Sequence, residues 1–379
     1  MHAARHGEAT RYLLPPEAYF DERWHRREID AIFNRSWLCA GLISDAVEPG
    51  DYWTIQAGDH PLVIVRGADG ELRAFHNICR HRGARLVEGK GSAPRGLSCF
   101  YHHWHYNLDG ALRGVPQADR FGTLDKSKLG LKTASISQWR GLVFVHPQET
   151  PAVSLADWIQ PLEAEFGPWQ PGELLETGSV QHEIEANWKL FVENHIDGYH
   201  LAHLHGASIR GLDHSQQRWT RAGPHWAFYE PELRDQDGER IDAVTALLPQ
   251  IEGIGPERLG SSVYLMFPTL GMAGGESFFF LLLIEPLSSE RTRVTVRTFI
   301  SPLLDNEGEK LASFLTPRSP IASPRNENGD FIGEDVYAAQ ALQVALRSPA
   351  FEVGPLADGL EDSIPFFQQS VLNALEAAR

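Results

Sequence analysis

Apolar residues recur in short runs from Asp51 onward, with the length and alternation of β-strands. The runs at 52–56, 61–65 and 141–145 are rich in branched and aromatic side chains. Residues 67–70, with the sequence GADG, separate two such runs as a hairpin turn does. The pattern therefore predicts a small antiparallel β domain from about residue 40 to about residue 150.

The pattern on either side of this β domain includes helices. Residues 15–37 carry apolar side chains at helical spacing, which predicts an N-terminal arm with one helix. After the β domain, strands and helices follow one another without strict βαβ alternation, which predicts an α+β domain. The strands are expected near 178–184, 261–267, 277–284 and 292–300, and the helices near 154–166, 187–204, 335–346 and 363–378. The segment 317–330 is rich in Pro, Ser, Asn and Gly, which predicts an exposed loop.

Composition narrows the class of protein. Of the 379 residues, 42% are hydrophobic and 22% are charged, which is ordinary for a soluble globular protein. The formal net charge of −16 argues against a nucleic-acid partner. The most apolar run, at 278–284, is far shorter than the ~20 residues of a membrane span. The N-terminus has no apolar signal-peptide stretch, so we expect a cytoplasmic protein without a membrane partner.

Two short segments each combine one cysteine with one histidine. Cys79 and His81 form a C-x-H segment, and Cys99 and His102 form a C-x₂-H segment. Two thiolates and two imidazoles are the ligand set of a Rieske [2Fe–2S] cluster. A structural zinc site, the alternative, usually pairs cysteines on one segment and histidines on the other. The mixed pattern favours the cluster, and Cys39, without a partner, is predicted to be a small buried side chain.

A second polar group lies on the helix predicted at 187–204. Its polar side holds Glu193, Asn194, Asp197, His200 and His205, whereas His195 and His203 point elsewhere. Two histidines and one carboxylate form the facial triad of non-haem Fe(II) oxygenases. Because His200 and His205 are five positions apart, both can bind one metal only if the helix is distorted or ends between them. A di-iron site of this kind would need a four-helix bundle, which the strand-rich pattern of this sequence does not predict.

The segment 79–104 resembles the cluster-binding motif of the aromatic-ring-hydroxylating Rieske non-haem iron oxygenases, in their catalytic alpha subunit. The resemblance implies a [2Fe–2S] cluster bound by Cys79, His81, Cys99 and His102. The family motif D-x₂-H-x₄-H is matched by Asp197, His200 and His205. By resemblance, the two histidines bind a mononuclear Fe(II), and Asp197 is the bridge that carries electrons or protons between subunits.

The carboxylate ligand of this iron is also selected by resemblance. Glu334-Asp335, followed by Gln343, resembles the family's third-ligand helix, in which the second acid of the pair binds iron. This comparison selects Asp335, although a carboxylate at a helix N-terminus is also stabilised by the helix dipole. Spacing alone leaves open the other candidates, Asp358, Glu361 and Asp362.

The resemblance implies an α+β architecture with three parts. These are an N-terminal arm at 1–39 that packs on the catalytic domain, an antiparallel β Rieske domain at 40–153, and a catalytic mononuclear iron domain at 154–379. In the family, the catalytic domain is a curved antiparallel sheet wrapped around a long helix, of the helix-grip type. Apolar strands near 261–267 and 278–284 would line an apolar substrate pocket.

The implied function is that of a terminal oxygenase that hydroxylates a small, typically aromatic, substrate with O₂. Its partners would be a reductase, with or without a ferredoxin, and other copies of the chain in a homotrimer or larger assembly. The alternative substrate is a quaternary ammonium compound that is demethylated. Relatives of that branch tend to have E-C-Y-H where this chain has D-G-Y-H at 197–200, which argues for the aromatic substrate. A non-enzymatic Rieske electron carrier is disfavoured, because such carriers lack the second metal motif.

Overall fold

The structure, a computed structural model, describes residues 11–206, 208–209, 211–235, 249–302 and 331–378. The exposed loop predicted at 317–330 lies outside these described residues. The chain divides into two compact units, Ile29–Trp158 on the one hand and Met1–Glu28 with Ile159–Arg379 on the other. The domain boundaries predicted after residues 39 and 153 differ from this division and remain predictions. In the described part of the chain, no helix combines the length and apolar character that crossing a membrane requires.

The unit Ile29–Trp158, all of whose residues are described, is built from antiparallel strands. The strands are β1 Leu38–Leu42, β2 Asp51–Ala57, β3 His60–Arg66, β4 Leu72–His76, β5 Lys90–Ser92, β6 Leu97–Ser98, β7 His105–Tyr106, β8 Leu112–Gly114, β9 Thr133–Trp139 and β10 Leu142–His146. Seven of them form a sheet in the order β1-β10-β9-β4-β3-β2-β5, and three form a second sheet in the order β6-β7-β8. The predicted β domain and its hairpin at 67–70 are thus confirmed.

The core of this unit lies between its two sheets and the loops that follow β4 and β6. Val63 and Val65 on β3 are fully buried, and they belong to the same cluster as Phe75, Trp104 and Tyr106. Four consecutive residues of β3, 62–65, are buried, so both faces of this strand are covered, which explains its continuous apolar run.

The second unit combines helices with one large sheet. Among its described residues, the helices are α1 Glu22–Glu28, α2 Leu155–Glu163 (which crosses the boundary between the units), α3 Trp188–Ile196, α4 Leu201–Leu204, α5 Phe331–Leu346 and α6 Ser363–Ala377. The strands are β11 Leu175–Ile184, β12 Arg218–Ala222, β13 His225–Pro231, β14 Gly260–Met266, β15 Leu270–Gly274, β16 Phe278–Ser288 and β17 Arg291–Ile300. They pair antiparallel in the order β11-β17-β16-β15-β14-β13-β12. The expected α+β class with antiparallel sheets is confirmed.

The register of this sheet places one row of side chains on the face that carries the helices. Phe228 of β13 pairs with Val263, Val263 with Ala273, and Ala273 with Phe280 of β16. All four line one cavity together with residues of α3 and α5. Because side chains alternate along a strand, the adjacent residue Tyr264 faces the opposite side, where its ring lies 4.7 Å from that of Phe166.

The single helix predicted over 187–204 is wrong, because the helix stops at Ile196. The side chain of Asn187 caps its start by accepting from the N–H of Lys189 at 3.0 Å. At its end, Asp197 has the extended backbone angles φ −78° and ψ 121°. A separate short helix, α4, then begins after His200. The break changes the direction of the chain between Asp197 and His205.

Candidate metal centres

The break after α3 brings two histidines together. The Nε2 atoms of His200 and His205 lie 3.1 Å apart, although a regular helix would turn them to different sides. Asp335, on α5, places its Oδ1 atom 3.6 Å from His200 Nε2 and 2.9 Å from His205 Nε2. These donor atoms therefore face one point in space.

The three side chains fit a divalent metal ion. Donors about 2.1 Å from a metal and at right angles to each other are about 3 Å apart, which is close to the observed separations. Of the described residues, only His200, His205 and Asp335 form such a group of His, Cys, Asp or Glu side chains. The other carboxylates that spacing had left open, Asp358, Glu361 and Asp362, lie outside it.

The close approach of the two histidines and Asp335 shifts the pKa values of these side chains. Burial alone would lower the pKa of His200, but the carboxylates of Asp197 and Asp335 raise it to about 10. Burial would likewise raise the pKa of Asp335, yet the two facing imidazoles hold it well below its usual range. Without a metal, the site thus attracts protons to its histidines. A divalent cation supplies the same positive charge.

Four further side chains surround the triad. Asn194 donates its amide to Asp335 Oδ1 at 2.7 Å. Asp197 Oδ2 lies 3.3 Å from His200 Nδ1. Glu334 Oε2 lies 2.7 Å from His205 Nδ1 and also accepts from the Ser208 hydroxyl at 2.6 Å. The contacts of Glu334 and Ser208 were not foreseen, although the acidic pair Glu334-Asp335 had been noticed.

Two other predictions about α3 need correction. Glu193 does not share the environment of the triad, because its Oε1 atom accepts from Tyr19 and Gln368 in a separate buried cluster. His195, expected to point elsewhere, lines the same cavity as the triad, and its Nε2 atom lies 3.1 Å from the carbonyl oxygen of Tyr264. The angles of a regular helix misplace these residues because they neglect what packs around it.

A cavity of about 510 Å³ opens beside the triad. Its walls are mostly apolar and include an aromatic pair on β13, where Trp226 and Phe228 stack with ring centroids 5.5 Å apart. A second aromatic series leads to the triad: Phe278 to Phe280 at 5.1 Å, Phe280 to Phe331 at 5.6 Å, and Phe331 to His205 at 6.3 Å. Such a cavity suits a small, largely apolar or cationic ligand.

Acidic side chains also line this cavity. They are Asp197, Glu230, Glu232, Glu276 and Asp335, and the described lining residues include neither lysine nor arginine. Glu230 is buried next to the aromatic pair, and its Oε2 atom lies 2.8 Å from His214 Nδ1. The described walls thus combine carboxylates with the imidazoles of His195, His200 and His205.

The second candidate centre lies in the unit Ile29–Trp158, on the loops after β4 and β6. Each loop closes on itself: the N–H of Cys79 donates to Ala84 O at 2.8 Å, and that of Cys99 donates to Trp104 O at 2.9 Å. Both cysteines are buried free thiols. Burial raises the pKa of Cys79, which also lies beside Tyr106 and Cys99.

The histidines of the two loops lie side by side. The rings of His81 and His102 are 4.7 Å apart, and Trp104 stacks on His81 at 4.9 Å. In this fully described unit, His81 Nδ1 is buried without a hydrogen-bond partner. A buried nitrogen of this kind and two adjacent buried thiols fit a metal cluster. Cys39, by contrast, lies apart on β1 and is only half-buried.

The fold and the two centres define a class of protein with a cluster-binding β unit and a mononuclear metal site under a large sheet. Residues 171–377 match the family described as ring hydroxylating alpha subunit (catalytic domain), and residues 36–135 match the Rieske [2Fe-2S] domain. The chain belongs to the ring-hydroxylating alpha subunit family. The resemblance of the sequence motifs to Rieske oxygenases is thereby confirmed.

Individual relatives come from more than one branch of the family, and one of them is the benzene 1,2-dioxygenase subunit alpha of Pseudomonas putida, 34% identical over 210 residues, covering 52% of this chain and 46% of the relative. The chain is 34% identical over 202 residues to the glycine betaine monooxygenase oxygenase subunit of Chromohalobacter salexigens, covering 53% of this chain and 45% of the relative. It is 30% identical over 197 residues to the carnitine monooxygenase oxygenase subunit of Acinetobacter baumannii, covering 51% and 53%. The chain thus spans about half the length of the curated relatives it matches. A crystal structure of a quaternary ammonium Rieske monooxygenase, 22% identical, superposes with a TM-score of 0.78 over 97% of this chain and 95% of that chain.

Proposed function

We propose that this chain is the oxygenase component of a multicomponent enzyme that demethylates a quaternary ammonium compound with O₂. The observation that carries the proposal is the convergence of His200, His205 and Asp335 beside a cavity with aromatic walls, in a chain of this family. Two imidazoles and one carboxylate leave several coordination positions of an iron open, which oxygenase chemistry requires.

The metal groups are assigned to named side chains. Cys79, His81, Cys99 and His102 would hold the [2Fe–2S] cluster, and His200, His205 and Asp335 would hold the Fe(II). When bound, the cluster supplies single electrons and the Fe(II) supplies the site of O₂ activation. The remaining roles belong to side chains: Asn194 orients Asp335 through its amide hydrogen bond, and the apolar walls exclude water from the substrate.

The proposed reaction uses one molecule of O₂ and two electrons for each methyl group that is removed. One oxygen atom of O₂ enters a C–H bond of an N-methyl group, and the other leaves as water after taking up two electrons and two protons. The electrons come from a reductase. The resulting N-hydroxymethyl group breaks its C–N bond and releases formaldehyde, the tertiary amine and one proton.

The described walls of the cavity support a cationic substrate. A quaternary ammonium group is attracted to aromatic faces, and Phe228, Phe280 and Phe331 present such faces near the triad. Glu230 and Glu276 add negative charge to the same walls. The names of the relatives favour this substrate class over the aromatic substrate that was expected first. We therefore give the D-G-Y-H sequence at 197–200, which had favoured an aromatic substrate, less importance than the similarity of the whole chain to these relatives.

Aromatic ring hydroxylation is the second candidate. The apolar lining of the cavity favours it, since Leu282, Val296 and the aromatic walls would also accommodate a flat hydrocarbon. The two functions give different products, because only demethylation releases formaldehyde.

Partners follow from the same proposal. A reductase, with or without a ferredoxin, would deliver the electrons. Asp197, 3.3 Å from His200, would join the mononuclear site to a Rieske histidine of a neighbouring subunit, as in a homotrimer. A carboxylate between two imidazoles can accept hydrogen bonds from both.

The experiment that tests the proposed function combines the purified chain with a reductase, NADH and a panel of betaines, choline-type cations and aromatic acids. Formaldehyde formed in step with O₂ uptake, for at least one quaternary ammonium compound, is the expected result. The His200→Ala variant is the control and should give neither. Diol formation from an aromatic compound, without formaldehyde from any ammonium compound, would replace the proposal by the second candidate.

A further inference from the structure

We propose that Glu334 is a positioning residue that holds His205 as a metal ligand and slows the loss of the mononuclear iron. The inference rests on the proposed metal site and adds to it a residue that does not itself bind the metal. It follows from the surroundings of one imidazole ring, whose two nitrogen atoms face two consecutive carboxylates.

The ring of His205 lies between Glu334 and Asp335. Its Nδ1 atom is 2.7 Å from Glu334 Oε2, and its Nε2 atom is 2.9 Å from Asp335 Oδ1. Consecutive residues of a helix point about 100° apart, so α5 can deliver one carboxylate to each nitrogen. The side chains of His205 and Glu334 are 2% and 1% exposed, so water does not compete for this contact.

The contact sets the tautomer of the imidazole. A carboxylate oxygen accepts hydrogen bonds, so this short contact favours the tautomer in which the Nδ1–H of His205 donates a hydrogen bond to Glu334 Oε2. The lone pair of Nε2 then points toward Asp335 and His200, where the metal would lie. Without Glu334, the ring could adopt either tautomer and could rotate about its χ2 bond. Either change would weaken the Nε2 ligand.

Ser208 supports the carboxylate of Glu334. Its hydroxyl donates to the same Oε2 atom at 2.6 Å, so this oxygen accepts two hydrogen bonds. The two donors fix this carboxylate beside Nδ1, so Glu334 holds the imidazole of His205 with Nε2 directed toward Asp335 and His200.

His200 offers a matched comparison within the same site. The carboxylate beside its Nδ1 atom belongs to Asp197 and is 3.3 Å away, and the side chains of both residues are 15% exposed. This contact is longer and more exposed to solvent than the contact of His205 with Glu334. We infer that Glu334 secures the metal, whereas Asp197 contributes little to its retention.

The test measures how fast a chelator removes iron from the intact holoprotein. Ferrozine is added under anaerobic conditions to the wild type, Glu334→Gln and Asp197→Asn, and the absorbance of the cluster is followed as an internal reference. Both variants replace a carboxylate by an amide of the same shape beside a histidine of the site. Thermal unfolding of each variant shows whether a general loss of stability accompanies the change.

The expected result is that Glu334→Gln loses the mononuclear iron about 10-fold faster or more, while the cluster and the unfolding temperature stay near those of the wild type. Asp197→Asn should release iron at close to the wild-type rate. Equal rates for the wild type and Glu334→Gln would overturn the inference, as would an equal acceleration in both variants.

Two further arms keep the test decisive. If Glu334→Gln does not fold, Ser208→Ala takes its place, since it keeps the carboxylate but removes one of its donors. Faster iron loss from Ser208→Ala supports the inference, and an unchanged rate refutes it. A wild type that never holds iron beyond its cluster would contradict the proposed function itself, which is a separate outcome.

Discussion

The Nε2 atoms of His200 and His205 lie 3.1 Å apart. They can do so because α3 ends at Ile196, before His200, and the short helix α4 ends at Leu204, immediately before His205. The irregular segment between the two helices contains Asp197, Gly198 and Tyr199. The close approach of the two histidines to Asp335 is the basis of the first prediction.

Replacing His200, His205 or Asp335 by alanine should abolish turnover and remove the mononuclear iron. Iron should fall from about three to about two atoms per chain, because an open site cannot lose a ligand and keep its affinity. Metal analysis and the visible spectrum of the cluster measure the two centres separately. Asp362→Ala serves as the control and should keep both iron and activity. The assignment of Asp335 fails if Asp335→Ala keeps its iron while Asp362→Ala loses it.

The variant Asp197→Asn should keep both metal centres filled and yet turn over far more slowly. It removes the charged acceptor beside His200 that is proposed to join the two centres of neighbouring subunits. Steady-state turnover and iron analysis on the same preparation test this prediction. Unchanged turnover would mean that Asp197 is an ordinary helix-terminal carboxylate.

Mixed oligomers locate the electron transfer. Cys79→Ala lacks the cluster and His200→Ala lacks the mononuclear iron, so each variant alone should be inactive. Assembled together, they should regain part of the activity, because the intact cluster of one subunit can serve the intact site of its neighbour. Proven mixed oligomers that remain inactive, with their other sites filled, would exclude transfer between subunits.

The aromatic wall of the cavity, which includes Phe228, should bind a cationic ligand more tightly than an uncharged ligand of the same shape. Phe228→Leu keeps an apolar side chain but loses the aromatic face, which costs a bound cation about 0.5–2 kcal/mol. We expect the dissociation constant of a trimethylammonium substrate to rise about 2- to 30-fold. The tert-butyl compound of the same shape, which is uncharged, should bind nearly as well to the variant as to the wild type. Equal losses for the two ligands would show that the phenyl ring contributes only shape.

We expect that replacing Lys189 strongly destabilises the second unit. Its Nζ atom lies 2.7 Å from Glu28 Oε1, and both side chains are fully buried. Lys189→Met leaves the carboxylate of Glu28 without its cation and should lower the free energy of unfolding by about 3–5 kcal/mol. The double variant with Glu28→Gln should recover much of this loss. Denaturant unfolding of the wild type, Lys189→Met, Glu28→Gln and the double variant gives the coupling energy, and strictly additive effects would contradict the prediction.

Glu193 should make the stability depend on pH. Burial raises the pKa of Glu193 from 4.5 to about 7, and hydrogen bonds from Tyr19 and Gln368 only partly oppose this shift. The folded chain then binds a proton more tightly than the unfolded chain. Its free energy of unfolding should therefore fall as the pH rises from about 4.5 to about 7, and level off above that.

The variant Glu193→Gln should flatten this dependence, because an amide does not titrate. The free energies of unfolding at about pH 5 and about pH 8 should differ less in the variant than in the wild type, by an amount of order 1–3 kcal/mol. The exposed Glu352→Gln variant is the control and should retain the wild-type difference. An unchanged pH dependence in Glu193→Gln would assign the slope to other groups.

The sequence by itself determined the features that depend on local spacing. The C-x-H and C-x₂-H segments predicted the cluster domain, since each motif fits on one short loop. The runs of apolar residues predicted three strands of the first unit, β2, β3 and β10, and four of the second, β11, β14, β16 and β17, to within a few residues. They could do so because side chains on one face of a strand recur with a period of two.

Only the tertiary structure decided how distant parts of the chain meet. The helix predicted through His200 had to be broken, since packing around α3 outweighs the local preference for helix. The contact of His205 with Glu334 spans 129 positions of sequence, and no local pattern encodes such a distance. The separation of Glu193 from the triad was hidden for the same reason: a carboxylate on a helix looks alike in sequence whether its neighbour is a metal ligand or the hydroxyl of Tyr19. Burial and partner come from the folded chain, and they decide which carboxylates serve the metal site.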